Sequence, residues 1–316
     1  MTFREELHGC FEKYMAYREA AGFATATYRS TVPPFLDFCA RKHPDEPRIT
    51  QSMVDEWLAH REYHHNTQCV FISALREYTK YLHFLGRDSY VPDDDYSSTR
   101  IAYTPYLFTD EELKKLFDGF DNYRGFKSGK RNLPELILPV YSRMLYCCGM
   151  RPSEPQALRR IDVKLDNGDV YIRQSKRNKD RHILMSNDML TLCRRYDELA
   201  GEREWFFQRY NGKPFDAHWF TAMFNRIWDE VGLPRRGNPR PYDLKHAFAS
   251  RNIIRWLEAG RDSMELLTYL SAYMGHSELS STLYYVHLLP DRLRRAVGAN
   301  WELLGRIYGE GHEHED

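Results

Sequence analysis

The stretch YMGHSELSSTLYYVH, from Tyr273 to His287, says most about how this chain folds and what it does. The Gly275-His276 pair ends one apolar run, and Tyr285 follows nine residues after His276, on the next run. Far upstream, residues 149–154 read GMRPSE and place Arg151 at a glycine-led turn into a predicted helix. A cation, an imidazole and a phenol are the groups that an active site needs if a tyrosine is to attack a phosphodiester without a metal ion.

Two segments between these motifs add further polar groups. Residues 169–174 and 181–185 alternate apolar and polar side chains, which predicts a β-hairpin whose polar turn carries Lys176 and Lys179. Downstream, residues 242–246 read YDLKH at the start of a predicted helix. The chain therefore carries five motifs in this order: the GMRPSE turn, the lysine-bearing hairpin, the YDLKH segment, Gly275-His276 and Tyr285.

In this order and at these spacings, the motifs resemble those of the tyrosine recombinases of the phage-integrase family, and the resemblance covers nearly all of the chain. It implies a mainly α fold with a small antiparallel β-sheet. A helical, SAM-like N-terminal domain that binds DNA would precede a tyrosine-recombinase catalytic domain, and the two would clamp duplex DNA. The implied function is that of a mobile-element integrase, which cuts and rejoins DNA strands without a cofactor or a metal.

Tyr285 is the nucleophile that the resemblance implies. It would attack the scissile phosphate, form a covalent 3′-phosphotyrosine and release a 5′-hydroxyl, so that the bond energy is kept for religation. Its neighbour Tyr284 is the competing candidate, and the nine-residue offset from His276 favours Tyr285. The alternative for both is that they are packing aromatics.

The resemblance also assigns the groups around the phosphate. Arg151 would bind two phosphate oxygens with its planar fork, although a helix-entry arginine is otherwise a common surface residue. Lys176 would be the general acid for the leaving 5′-oxygen, with Lys179 as the close competitor; the alternative is a basic turn that only contacts the DNA backbone. His276 would donate to a nonbridging oxygen, or would only cap a helix end. Glu154, one turn after Arg151, could orient a neighbouring cation.

One segment departs from the family pattern. Most members have His-X-X-Arg where this chain has Tyr242 and Lys245. Tyr242 removes a possible general base but keeps a hydroxyl. Lys245 keeps the positive charge but loses the fork, so we expect it to hold only one phosphate oxygen well. His246 points about 100° away from Lys245 on an ideal helix and cannot replace it.

Periodicity and breakers predict the organisation of the chain. Four helices, at about 3–21, 25–42, 50–60 and 66–84, form a predicted DNA-clamping domain at residues 1–88. A Pro- and Asp-containing linker at 89–107 leads to a catalytic domain at 108–308, which Thr109 opens with a hydroxyl cap. The domain would end in a helix from about Pro290 to Tyr308, which packs on its own core or on a neighbouring subunit. The acidic tail, 309–316, is predicted to be disordered.

Composition limits the possibilities further. Lys and Arg number 45, as do Asp and Glu, so no overall basic field indicates nucleic acid, and charges must segregate by face. No apolar run approaches the roughly 20 residues that span a bilayer, and the start has no signal-peptide core. We therefore expect a cytoplasmic protein without membrane contact, whose six cysteines are reduced and buried.

Three functions remain open from the sequence. The first is a site-specific recombinase whose partner is double-stranded DNA; the resemblance implies a homodimer on each site and a tetramer in the synapse. The second is a catalytically weak or inactive relative that binds DNA as an accessory protein, which Lys245 keeps possible. The third is a type IB topoisomerase-like enzyme, which shares the chemistry but needs no synapse.

Overall fold

The computed structural model describes residues 3–61, 63–93, 104–125, 133–175, 179–215, 217–261, 263–276 and 279–287 of the 316-residue chain. The described residues fall into two compact units, one before and one after position 104. The predicted bounds 1–88, 89–107 and 108–308 stay predictions. The predicted helix from Pro290 to Tyr308 and the acidic tail lie outside the described residues.

The described part of the first unit contains four helices, as predicted: α1 Phe3–Ala20, α2 Ala26–Lys42, α3 Gln51–His60 and α4 His65–Phe84. Apolar side chains from all four meet in one core, whose members include Met15, Leu36, Trp57 and Leu75. Pro33 and Pro34 lie inside α2. This helix therefore begins before the proline pair, which had been an alternative start.

The second unit begins with α5 Asp110–Asn122, α6 Leu133–Cys148 and the single turn α7 Ser153–Gln156. A hairpin of β1 Asp169–Ser175 and β2 Lys179–Leu184 follows, and then α8 Asn187–Ala200, α9 Ala217–Glu230, α10 Tyr242–Glu258, α11 Ser263–Met274 and α12 Ser280–His287. The predicted fold class, mainly α with a small antiparallel sheet, is confirmed. Across the described residues, none of the helices is both long and apolar enough to cross a membrane.

Local signals predicted several of these boundaries correctly. Thr109 and Glu112 form a reciprocal capping box at the start of α5, in which each side chain accepts a hydrogen bond from the other residue's backbone N–H. Of the six cysteines, five are buried as expected, whereas Cys147 at the end of α6 is exposed.

Helix α6 is the central element of the second unit. It packs against α5, α8 and α10, and half of its side chains are buried, including Ile137, Tyr141, Met144 and Cys148. Because packing on several sides holds α6, the turn that follows Cys148 is held in place as well. That turn, the hairpin, the start of α10 and the end of α11 converge on one site.

Candidate active site

The turn after α6 presents Arg151. Gly149 has φ +59°, and a Cβ added there would lie 2.6 Å from Cδ1 of Phe248, so both the backbone and the packing require glycine. The Arg151 backbone N–H donates to Oε2 of Glu154 at 2.7 Å, and its Nη1 donates to Oε1 at 3.0 Å. Arg151 Nη2 also donates to the Gly275 carbonyl at 3.1 Å, which joins this turn to the end of α11.

Glu154 does orient a neighbouring cation, and it binds a second one that the sequence did not reveal. Arg181 on β2 donates from Nη1 and Nη2 to both Glu154 oxygens, at 2.6 and 2.8 Å. Burial alone would raise the pKa of Glu154, but the Arg181 hydrogen bonds, with the charges of Arg181, Lys245 and Arg151, lower it to about 2. This carboxylate is therefore a fixed anion between two arginines.

The end of α11 presents His276. Gly275 has φ +69° and turns the chain out of the helix, and the His276 N–H donates back to the Ser271 carbonyl at 3.0 Å. His276 Nδ1 lies 2.7 Å from Oγ1 of the buried Thr282 on α12. Burial, followed by the charges of Lys245, Arg151 and Arg181, lowers the His276 pKa to about 3, so the imidazole is neutral near pH 7.

Tyr285 lies next to this histidine. Its side chain is 3% exposed, and its ring centroid is 6.0 Å from that of His276, with the planes 24° apart. His246 packs against Tyr285 from α10 at 5.4 Å, and Tyr242 packs on His246 at 4.9 Å. Tyr284 is half-buried and its ring centroid lies 6.2 Å from that of Tyr285. Tyr285 is thus in ring contact with both histidines.

Lys245 is buried at the centre of the site, with no exposed surface. Its Nζ donates to the backbone carbonyls of Gly149 at 2.8 Å and Met274 at 3.1 Å. Burial, then the charge of Arg151, lowers its pKa well below the usual value; Glu154 opposes this shift, and Arg181 adds to it. The expected contact between Lys245 and a phosphate oxygen stays a prediction.

Lys176 lies outside the described residues, as does the rest of the turn at 176–178. The strands on either side are described: Asp169 pairs with Leu184, Ile172 with Arg181 and Ser175 with Lys179, with an irregularity before the last pair. The hairpin therefore leads into the turn that carries Lys176, and it delivers Arg181 to Glu154. No group of three or more metal-binding side chains occurs in the described ranges.

The site thus brings together Arg151, Lys245, His276 and Tyr285. Tyr242 packs on the ring of His246, which in turn packs on Tyr285. Sequence reasoning missed Arg181 and Thr282, and it had considered His246 only as a replacement for Lys245. The one available signal was the spacing of Tyr242 and His246, four residues apart on one helix face. For Arg181 the sequence offers none, because Glu154 is 27 residues away, and the six-residue spacing of His276 and Thr282 does not correspond to a helical turn.

Comparisons with known proteins show the family of this chain. The model of the phage integrase family matches residues 108–292. The tyrosine recombinase XerD of Rhizobium meliloti (strain 1021) is 30% identical over 251 residues, which are 76% of each protein. The tyrosine recombinase XerC of Halalkalibacterium halodurans is 24% identical over 286 residues, 84% of this chain and 87% of that protein.

A solved structure shows the same fold. The Tn1549 transposon integrase, in complex with transposon right end DNA, superposes with a TM-score of 0.65 at 15% identity. The match covers 98% of this chain and all of the matched chain. The likeness therefore extends over both units.

Proposed function

The chain belongs to the phage integrase family, the tyrosine recombinases, and we propose that it is an active site-specific DNA recombinase that serves a mobile element. The observation that carries the proposal is the contact of Tyr285 with a neutral His276 whose turn is bonded to Arg151. A nucleophile, an uncharged donor and a fixed cation then meet at one place.

In the proposed reaction, Tyr285 gives its phenolic proton to water, its Oη forms a bond to the scissile phosphorus, and the bond from phosphorus to O5′ breaks. Arg151 binds nonbridging oxygens, and its orientation by Glu154 supports this role because two hydrogen bonds hold the turn and the guanidinium together. Lys176 gives a proton to the departing O5′. The phosphotyrosine keeps the bond energy, and religation reverses the step without ATP.

His276 donates to a nonbridging oxygen in this scheme. A neutral imidazole has one N–H. When the Thr282 hydroxyl donates to Nδ1, that N–H is on Nε2 and can point to the phosphate. The depressed pKa of His276 supports this assignment, because the ring stays neutral at the pH where recombination takes place.

Double-stranded DNA is the proposed substrate, held mostly through phosphate contacts. The Tn1549 integrase, whose fold this chain shares, was solved with transposon DNA, and this supports the same class of ligand here. We propose two protomers on each site and four in the synapse. Charges balanced over the whole chain require that the basic groups gather on the faces that meet DNA.

The test is a nicked suicide substrate made from the ends of the element that encodes the protein. We expect a covalent protein–DNA adduct that survives denaturation with wild type and with Tyr284→Phe. Tyr285→Phe should form none, while its DNA affinity changes little, because one hydroxyl is a small part of a large electrostatic interface. An adduct that persists in Tyr285→Phe and vanishes in Tyr284→Phe would move the nucleophile by one residue.

The role of Lys176 needs a different substrate, in which sulfur replaces the 5′-bridging oxygen. A thiolate is a good leaving group without a proton, so it bypasses a general acid. Lys176→Ala should therefore cleave ordinary DNA much more slowly than wild type and the sulfur-containing DNA almost normally. Equal defects on both substrates would make Lys176 a DNA contact only.

The second candidate function is a DNA-binding accessory protein without cleavage activity. The burial of Lys245, where most family members have an arginine, is the observation that favours it. Tight binding to the element's ends without any adduct would establish this function. A topoisomerase-like activity would relax one supercoiled DNA without exchanging strands between two marked DNAs.

A further inference from the structure

Three basic side chains donate hydrogen bonds to the end of α11. Arg181 Nε donates to the Tyr273 carbonyl at 3.0 Å, Lys245 Nζ to the Met274 carbonyl at 3.1 Å, and Arg151 Nη2 to the Gly275 carbonyl at 3.1 Å. The last carbonyls of a helix have no partner within the helix, and they form its negative end. Each of these consecutive acceptors therefore has its own side-chain donor, from three different elements.

Of the three side chains, Lys245 joins two segments through a single atom. The same Nζ donates to the Gly149 carbonyl at 2.8 Å, so one nitrogen atom joins the turn that carries Arg151 to the turn that carries His276. The two carbonyls belong to segments far apart in the chain. The lysine therefore helps to set their separation in space, together with the hydrogen bond from Arg151 to the Gly275 carbonyl.

The surroundings of Lys245 do not suit a phosphate ligand. The side chain has no exposed surface, and a phosphate oxygen is about as large as the water molecule that is excluded from it. Burial and the neighbouring arginines also disfavour the charged form. The buried position instead suits the two hydrogen bonds to the Gly149 and Met274 carbonyls, which Nζ can donate either as an amine or as an ammonium.

We propose that Lys245 is a positioning residue, which fixes the Arg151 turn against the end of α11 so that Arg151 and His276 face one phosphate. The inference rests on the proposed function. It replaces the role expected from the sequence, in which Lys245 touches the phosphate itself.

The first test uses the DNA-free protein and hydrogen exchange of its backbone amides. The substitution is Lys245→Met, which keeps most of the side-chain volume and removes both donors. We expect the amides of residues 149–151 and 274–276 to exchange about tenfold faster or more, because each turn loses a bond that holds it. Lys164→Met, at an exposed lysine of the same unit, is the matched control and should change neither segment.

The second test is single-turnover cleavage with the same variants. Lys245→Met should cleave about 10²-fold more slowly, the usual effect of a small misplacement, with DNA affinity nearly unchanged. In a His276→Ala background the same substitution should have an effect at least about tenfold smaller, because the imidazole that it positions is gone. A lysine that binds phosphate independently would instead give defects that multiply.

Lys245→Arg keeps the charge and the donors, and so remains informative if Lys245→Met does not fold. A phosphate ligand should be improved by the guanidinium fork, whereas a fully buried bridge should be overpacked and cleave about tenfold more slowly. A faster Lys245→Arg, or unchanged exchange in Lys245→Met, would overturn the inference. If wild type forms no adduct, the proposed function fails, and the exchange experiment still decides whether Lys245 holds the two turns.

Discussion

His276 should make the protein less stable in mild acid. Its pKa is 6.5 in an unfolded chain and about 3 in the folded protein, because the ring is buried among Lys245, Arg151 and Arg181. Between these values the unfolded state binds a proton that the folded state does not, so the free energy of unfolding falls as the pH falls. Above the unfolded pKa, both states carry a neutral ring and the effect vanishes.

The magnitude follows from linkage. From about pH 7.5 to about pH 5, His276 should cost about 2 kcal/mol of stability, at about 1.4 kcal/mol per pH unit below the unfolded pKa. Glu154 contributes little in this window, because its pKa is about 2 when folded and 4.5 when unfolded. Glu154 would remove stability only at lower pH, where the unfolded chain begins to take up a proton first.

The assay is chemical denaturation of wild type and His276→Gln at both pH values. Gln has no titrating group, and its amide oxygen can still accept from the Thr282 hydroxyl, so the variant should lose about 2 kcal/mol less than wild type. His60→Gln, at an exposed histidine on α3, is the control and should behave like wild type. Equal losses in wild type and His276→Gln would refute the reasoning, because a neutral buried ring could not then be the cause.

Two further predictions concern the frame of the site. Gly149→Ala should lower the free energy of unfolding by about 3 kcal/mol, since it combines a left-handed backbone with overpacking against Phe248. Its control, Gly212→Ala, has φ +78° and open space around it, and it should cost about 1 kcal/mol in the same denaturation assay. Arg181→Met should cost about 3 kcal/mol, because it leaves a buried carboxylate underpaired. Arg226→Met, in an exposed pair on α9, should cost much less in the same assay, and similar losses would show that Glu154 does not need Arg181.

Much of the architecture could be predicted because its signals are local. The hydroxyl of Thr109 predicted the cap that opens α5, and alternation around a polar turn predicted the hairpin. The pairing of Arg151 with Glu154 was open to prediction for the same reason, since the two residues are one helical turn apart. These interactions form within a few residues, so spacing is enough to find them.

The unpredicted part of the site depends on contacts between distant segments. Arg181 reaches Glu154 only because β2 packs beside α11, and nothing in its own neighbourhood of the sequence distinguishes it from other strand arginines. The partners of Lys245 are backbone carbonyls, which every residue has. A sequence pattern names side chains, so it could indicate that a lysine stands at this position but not that it binds the main chain.

The charges of the site explain why the pKa values of Lys245 and His276 are the ones that shift downward. Arg151 and Arg181 cannot release a proton in a protein, and Glu154 provides one negative charge between them. The positive charge that remains must act on groups that can change their protonation state. It lowers the pKa values of Lys245 and His276 together, in addition to the burial that both share. The two arginines therefore have two effects. As cations they could bind a phosphate, and their charges also keep the buried His276 neutral.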